Sequence, residues 1–265
     1  MIFPDKSLAT RLESNLAQDM LEYVQAFNVL FPDYPATVQK IGGGIAICTG
    51  SQFINSAIGL GLNTTISTSD LDALEAYFRD NQVDSEIEIC PFTDAQFLSS
   101  LNERNYHLTS FTTAYIHALD TIQPPPNINP DIVVEPITDN QKELWMQTVC
   151  DISPDDQTTD TRLAQAVTHR AHTTCFLAQL DGESIGASAL SIRDGVATFY
   201  FTATRKAYRQ RGVQTAMLQA RLAYAQAQDC ELAFATTIPG NHSMRNVMRA
   251  GFHVAYVRCT MVKTF

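Results

Sequence analysis

The sequence predicts an α/β protein, of the mixed-sheet α+β kind, built as two domains in tandem. Three observations predict it. Apolar runs of strand length alternate with amphipathic stretches at helical spacing throughout the chain, a proline-rich segment interrupts that alternation near the middle, and the pattern before the interruption returns after it. With 265 residues, 45% hydrophobic and 17% charged, the chain is long enough for two cores and too apolar to be disordered.

A helix is expected over residues 6–30, where Leu8, Leu12, Leu16, Met20, Tyr23, Val24 and Phe27 recur at spacings of three and four. Prolines 32 and 35 end it. Short apolar segments at 37–40, 44–48 and 55–62, divided by glycines and polar turns, read as strands. Ser67 or Ser69 caps a helix over 70–80 with carboxylates in its first turn. A strand at 86–90, a short helix at 94–104 and a strand at 108–119 complete this half.

Gln123-Pro-Pro-Pro-Asn-Ile-Asn-Pro130 is a linker, because its prolines suit neither helix nor sheet. The expected domains are residues 1–122 and 131–265, with the linker at 123–130 between them. Beyond it the pattern predicts a strand at 132–136, helices at 141–150 and 161–171, and strands at 174–180 and 185–192 joined at Asp181-Gly182. A second Asp-Gly turn, Asp194-Gly195, leads into a strand at 196–204. A long helix, a strand at 231–237, a helix at 242–250 and a last strand at 252–262 follow. The repeat lies in Glu86-Ile-Glu-Ile with Asn105-Tyr-His107, matched by Glu231-Leu-Ala-Phe with Gly251-Phe-His253.

The chemistry concentrates where the 196–204 strand turns into the long helix. Arg205, Lys206, Arg209 and Arg211 are four of the chain's 18 Lys and Arg, fall within seven residues and have no carboxylate among them, in a protein of net charge -10. A basic turn with a glycine at a helix N-terminus is a place to hold a phosphate, since unpaired N–H groups and the helix dipole favour negative charge. The helix behind it carries an apolar stripe, Val213, Met217, Ala220, Tyr224 and Ala227, that reads as core packing.

Other residues bound the function. The acidic balance argues against a nucleic-acid partner. Six scattered cysteines without a CxxC fit free thiols in a reducing compartment, and neither a signal-peptide pattern nor an apolar run of membrane-span length is present, so a soluble cytoplasmic protein is expected. His169 and His172 are three apart but lack a third ligand, and no metal is expected. Asp151, Asp155 and Asp156 form an acidic loop, suited to a cationic amine or merely solvated.

The basic turn resembles the coenzyme-A loop of the GNAT acyltransferase superfamily, with the pattern Arg/Gln-x-x-Gly-x-Gly/Ala. Arg209 and Gly212 match it, and Gln214 departs from it. The helix ending in Gly251-Phe252 and the order of elements from residue 132 follow the same plan. The resemblance implies two tandem GNAT-like domains, the second complete and the first a degenerate copy without the loop, bracing the second or walling its acceptor pocket. It implies acetyl-CoA as co-substrate, held by Thr202, Ala203, Thr204, Arg209, Gln210, Arg211, Gly212, Val213, Gln214 and Thr215.

The activity implied is N-acetyl transfer to a small amine by direct attack on the thioester. Many relatives place a Tyr where this chain has Val247. Some instead carry a Ser at the position of Ser243, which then serves as thiolate partner or only caps its helix. The absent Tyr keeps open a second reading, a CoA-binding sensor or interaction module. A third, an aminoacyl-tRNA-dependent transferase, is disfavoured by the loop and the acidic surface.

Overall fold

The structure, a computed structural model, describes residues 2–50, 54–121, 129–151 and 161–265, with the side chains of Thr121 and Asp151 outside the description. Most of the proline-rich linker, together with Asp155 and Asp156, also lies outside the described residues. The chain forms two compact units, Met1–Ala114 with Ala255–Phe265, and Tyr115–Val254.

In the first unit, α1 (Lys6–Leu30) precedes β1 (Thr37–Ile41), β2 (Gly44–Cys48) and β3 (Asn55–Ile58). Then come α2 (Thr68–Asp80), β4 (Ser85–Ile89), α3 (Ala95–Glu103) and the start of β5 (His107–Ala118). The first three strands pair antiparallel in order, and β3 meets β4 in parallel. The chain's last strand, β11 (His253–Lys263), lies antiparallel to β4, with Cys259 opposite Ile89 and Met261 opposite Ile87. It therefore belongs mainly to the unit built from the beginning of the chain. Ile87 and Ile89 face a core of Leu74, Phe78, Phe97, Leu101 and Tyr106, against which Cys259 and Met261 also pack.

Two details of this unit differ from the periodic reading. The strand expected over 55–62 ends at Ile58, because the chain turns back so that Gly61 N–H donates to Gly42 O at 3.0 Å. The buried face of α1 includes Leu12, Tyr23, Val24 and Phe27 but also Glu13, Asn15 and Asp19, while Leu16 and Met20 are only partly buried. Glu13 is tolerated there because Tyr256 donates to its Oε1 at 2.9 Å and Arg258 lies 3.5 Å from its Oε2.

The second unit begins with the end of β5, followed by β6 (Val133–Pro136), α4 (Lys142–Asp151), α5 (Thr161–Val167), β7 (Thr173–Leu180), β8 (Glu183–Arg193) and β9 (Val196–Thr204). It closes with α6 (Val213–Ala227), β10 (Leu232–Thr237) and α7 (His242–Arg249). Strands β6 to β9 pair antiparallel in order and β10 joins β9 in parallel. Both Asp-Gly turns place the two residues at positive φ, 52° and 80° for Asp181-Gly182 and 47° and 71° for Asp194-Gly195, as two-residue hairpins require. The core under α6 joins Tyr115, Phe176, Leu190, Phe199, Leu222 and Phe252.

The face that α6 buries differs from the expected stripe. Val213 and Met217 are buried as expected, but Ala220 and Tyr224 are only partly buried and Ala227 is exposed. In their place Ala216, Leu218, Leu222, Ala225 and the polar Gln219 and Arg221 turn inward. A helix lying flat on a sheet buries a face wider than one stripe, and Arg221 remains there because backbone carbonyls accept its N–H groups.

Candidate active site

Strand β9 is paired on both edges only over its first half. Its parallel register with β10 runs from Val196 opposite Leu232 to Phe199 opposite Ala235 and stops. On the other edge the register with β8 slips, since Ala189 faces Tyr200 while Ala187 faces Ala203. Strand β9 thus holds one residue more than β8 across this step, a β-bulge. Within it Phe201 takes φ 47°, an uncommon conformation for a bulky residue and one that clusters at functional sites. Past the bulge β9 and β10 part, and a cleft of about 120 Å³ opens between them. Tyr200, Thr202, Thr236, Thr237, Ser243 and Val247 are among the residues that line it.

At the far end of β9 the chain makes a one-turn 3₁₀ helix, Lys206–Tyr208, and enters α6 through Gly212. Gln210 and Gly212 both have positive φ, 64° and 86°, and no side chain caps the helix. The first helical hydrogen bond runs from Ala216 N to Gly212 O at 2.9 Å, so the N–H groups of Val213, Gln214 and Thr215 lie ahead of the ladder. Alternating handedness in such a turn is the backbone pattern of anion-binding nests. A Cβ at Gly212 would meet nothing within 4 Å, so the approach to these amides is open.

The four cations of the turn are not equivalent. Arg205 lies 3.2 Å from Glu183, which also accepts from the Tyr208 hydroxyl at 2.7 Å. That bond to the carboxylate holds the Tyr208 hydroxyl above its ordinary range. Arg211 stacks over the Tyr208 ring at 5.3 Å, and Arg209 Nε donates weakly to Thr204 O at 3.4 Å. Both side chains are exposed and meet no carboxylate among the described residues. The positive end of the helix thus keeps beside it two guanidinium groups that no carboxylate among the described residues neutralises.

Parted parallel strands leading into an uncapped, basic helix N-terminus are suited to an extended ligand with a phosphate at one end. Residues 138–252 match the acetyltransferase (GNAT) family. This segment is a GNAT domain. That family transfers acyl groups from acyl-CoA. The whole chain shares its fold with a GCN5-related N-acetyltransferase from Kribbella flavida, at 16% identity and TM-score 0.69 over 97% of this chain and 96% of that one. A tandem GNAT protein from the clavulanic acid biosynthesis pathway aligns at 14% identity and TM-score 0.63, covering 90% and 87% of the two chains. A GCN5-related N-acetyltransferase from Sphaerobacter thermophilus aligns at 16% and 0.62, covering 86% and 75%. No curated protein sequence matches the chain.

In the GNAT domain the residues expected to hold a coenzyme fall into two connected groups. Thr202, Ala203 and Thr204 form the end of β9 beyond its pairing with β10. Arg209 to Thr215 form the turn and the first residues of α6. Gln214, which breaks the family pattern, turns its carboxamide to Asn246 on α7. Ser243 lines the cleft, and the cap of α7 is Asn241, whose Oδ1 accepts from Met244 N at 2.7 Å. Helix capping therefore does not account for Ser243. Val247, one turn later, is buried and lines the same cleft.

Of the acidic residues expected at an acceptor site, Asp151 ends α4, and Asp155 and Asp156 lie outside the described residues. His169 Nδ1 lies 3.0 Å from Gln165 O, and His172 faces Arg193. Sequence reasoning missed Tyr200, Arg221, Thr236 and Thr237 as lining residues. The threonines end a strand, as Thr202 does, and that parallel was the one signal available. Arg221 stood in plain view as a cation on the apolar side of a helix.

The first unit differs where β3 leads on toward α2. Strand β3 is registered with β4 only at Ala57 opposite Ile87. Beyond it Leu60 and Leu62 are buried, and Ile66 and Phe97 close around Gly61, at 3.3 and 3.4 Å from where its Cβ would stand. Helix α2 is capped by Ser67, and the Asp70 carboxylate in its first turn accepts from Ser67 N at 2.8 Å. Those hydrogen bonds hold the Asp70 carboxyl below its ordinary range. The helix N-terminus that would meet a phosphate already has its own carboxylate.

Proposed function

We propose that this protein is an acetyl-CoA-dependent N-acetyltransferase that acts on a small amine by direct attack of the amine on the thioester. The observation that carries the reading is the continuity of the parted β9 and β10 strands with the uncapped, basic start of α6. Bound coenzyme would supply a thioester-activated acyl group. The backbone of Thr202, Ala203 and Thr204 would hold its extended arm, and the amides from Gln210 to Thr215, with Arg209 and Arg211, its pyrophosphate. Ser243, the thiolate partner, would donate a hydrogen bond to the departing sulfur, and Asp151, Asp155 and Asp156 would draw in a cationic amine. We place this activity in the cytoplasm, a reducing compartment that suits the free thiols of Cys48, Cys90, Cys175, Cys230 and Cys259.

We also read residues 1–122 and 131–265 as two copies of one unit joined by the 123–130 linker. The leucine-filled strand end and self-capped α2 support a first copy that has lost ligand binding. Val247 at the position of the common Tyr favours one rival, a CoA-binding sensor or interaction module. Calorimetry with acetyl-CoA and thiol release with a panel of amines test both. Binding with release on one amine supports the enzyme, and binding without release on any amine supports the module. No binding at near-millimolar ligand sinks both.

A further inference from the structure

Arg221 is only 1% exposed and none of the described residues offers it a carboxylate. Its Nε donates to Met217 O at 3.2 Å, and its Nη1 reaches Ala189 O at 3.1 Å and Tyr200 O at 3.5 Å. Ala189 and Tyr200 are the register pair at which the β9 bulge begins. The guanidinium thus ties α6 to both strands at the step that parts β9 from β10. Its carbon also lies 4.5 Å from the centre of the Phe199 ring, and the residue lines the cleft together with Ser243 and Thr236. A buried cation without a counter-ion is costly, and mutual carbonyl and ring contacts offset that cost only in part. A charge kept under such conditions sets a positive potential in the cavity it borders.

We propose that Arg221 is a positioning residue that holds the β9 bulge open and makes the cleft favour an anionic sulfur over a neutral thiol. The proposal rests on the coenzyme-A reading of the same cleft. In acyl transfer to an amine the nitrogen–carbon bond forms, the carbon–sulfur bond breaks with its electron pair on sulfur as the thiolate, and the nitrogen's proton passes to solvent water. A fixed positive charge near the sulfur favours that final charge distribution without reorganisation. Burial pushes the guanidinium down to about 9, which leaves it charged at neutral pH. Among the described lining residues only Tyr200 and Arg221 carry ionisable side chains, and the Tyr200 hydroxyl is within 2.5 Å of Thr173 Oγ1. None of the described lining residues is a carboxylate that would cancel the charge.

The test is a titration of the coenzyme-A thiol, followed by thiolate absorbance, free and bound to the full chain, with binding measured separately by calorimetry. The bound thiol is expected to ionise at least about one pH unit below the free thiol. Arg221→Met should lose that shift, whereas Arg221→Lys, which keeps the charge but not the planar bridge, should retain part of it. Binding by the native protein with an unshifted thiol, or an equal shift in Arg221→Met, overturns the proposal and leaves the coenzyme reading standing. Failure of the native protein to bind coenzyme A overturns both. If Arg221→Met does not fold, the native shift and its partial retention in Arg221→Lys still decide the matter.

Discussion

The carboxamide of Gln214 accepts a hydrogen bond from Asn246 Nδ2, linking the first turn of α6 to α7. The side chain that breaks the family pattern is thereby held toward α7, and the space over Gly212 stays open. Gln214→Ala should leave coenzyme-A affinity within about threefold, less than 1 kcal/mol. It should lower stability by about 1 kcal/mol, the usual worth of one hydrogen bond. Calorimetry and urea unfolding measure the two effects, and a tenfold loss of affinity would place Gln214 among the ligand's own contacts.

Gly212 enters α6 at φ 86° with nothing near its absent Cβ. Gly212→Ala should cost about 1 kcal/mol from backbone strain alone, since no clash is added. Gly212→Glu adds a carboxylate at the helix N-terminus and should abolish coenzyme-A binding while the circular dichroism spectrum stays native. Retained affinity in Gly212→Glu would move the phosphate site elsewhere.

Ser243 lines the cleft without capping its helix. Ser243→Ala should lower kcat roughly a hundredfold, the scale of one lost transition-state hydrogen bond, with little change in the KM for acetyl-CoA. Steady-state kinetics separates the two constants. An unchanged kcat would make Ser243 a wall of the cleft and nothing more.

Glu13 is fully buried, and burial raises its pKa although Arg258 and the Tyr256 hydroxyl oppose the shift. Arg258 has a closer partner in Glu88, at 2.8 Å against 3.5 Å for Glu13, which is why burial prevails. A carboxyl raised in the folded state binds more protons folded than unfolded above its ordinary value of 4.5. Its contribution is therefore present below that pH and lost as pH rises through the folded value. Glu13→Gln does not titrate, so its stability relative to the native protein should improve as pH climbs from about 4.5 toward neutrality. Urea unfolding across that range measures the trend, and a flat difference would show that the ion pair with Arg258 outweighs burial.

Much of the fold was legible because its signals are local. The 25-residue α1, the Asp-Gly hairpins at 181 and 194 and the basic entry to α6 are each set by the spacing and chemistry of residues close in sequence. The basic, uncapped turn before α6 was legible for the same reason, since its glycine, its cations and the helix behind it are one contiguous stretch. Residues such as Thr236 and Thr237 were not, because a cleft is made by elements that meet only after folding.

By itself, the sequence determined the order of strands and helices, the mixed-sheet class and the basic turn at the start of α6. Only the tertiary structure decided that β11 lies beside β4, that the register of β9 with β10 ends at Phe199, and that Glu13 and Arg221 are buried. Strand partners are chosen by backbone hydrogen bonds between distant segments, which leave no trace in local periodicity. A charged side chain is buried when carbonyls or opposite charges from other elements meet it. The sequence places Arg221 on the apolar side of α6, but its burial is decided only where the carbonyls of Ala189 and Tyr200 are brought against it.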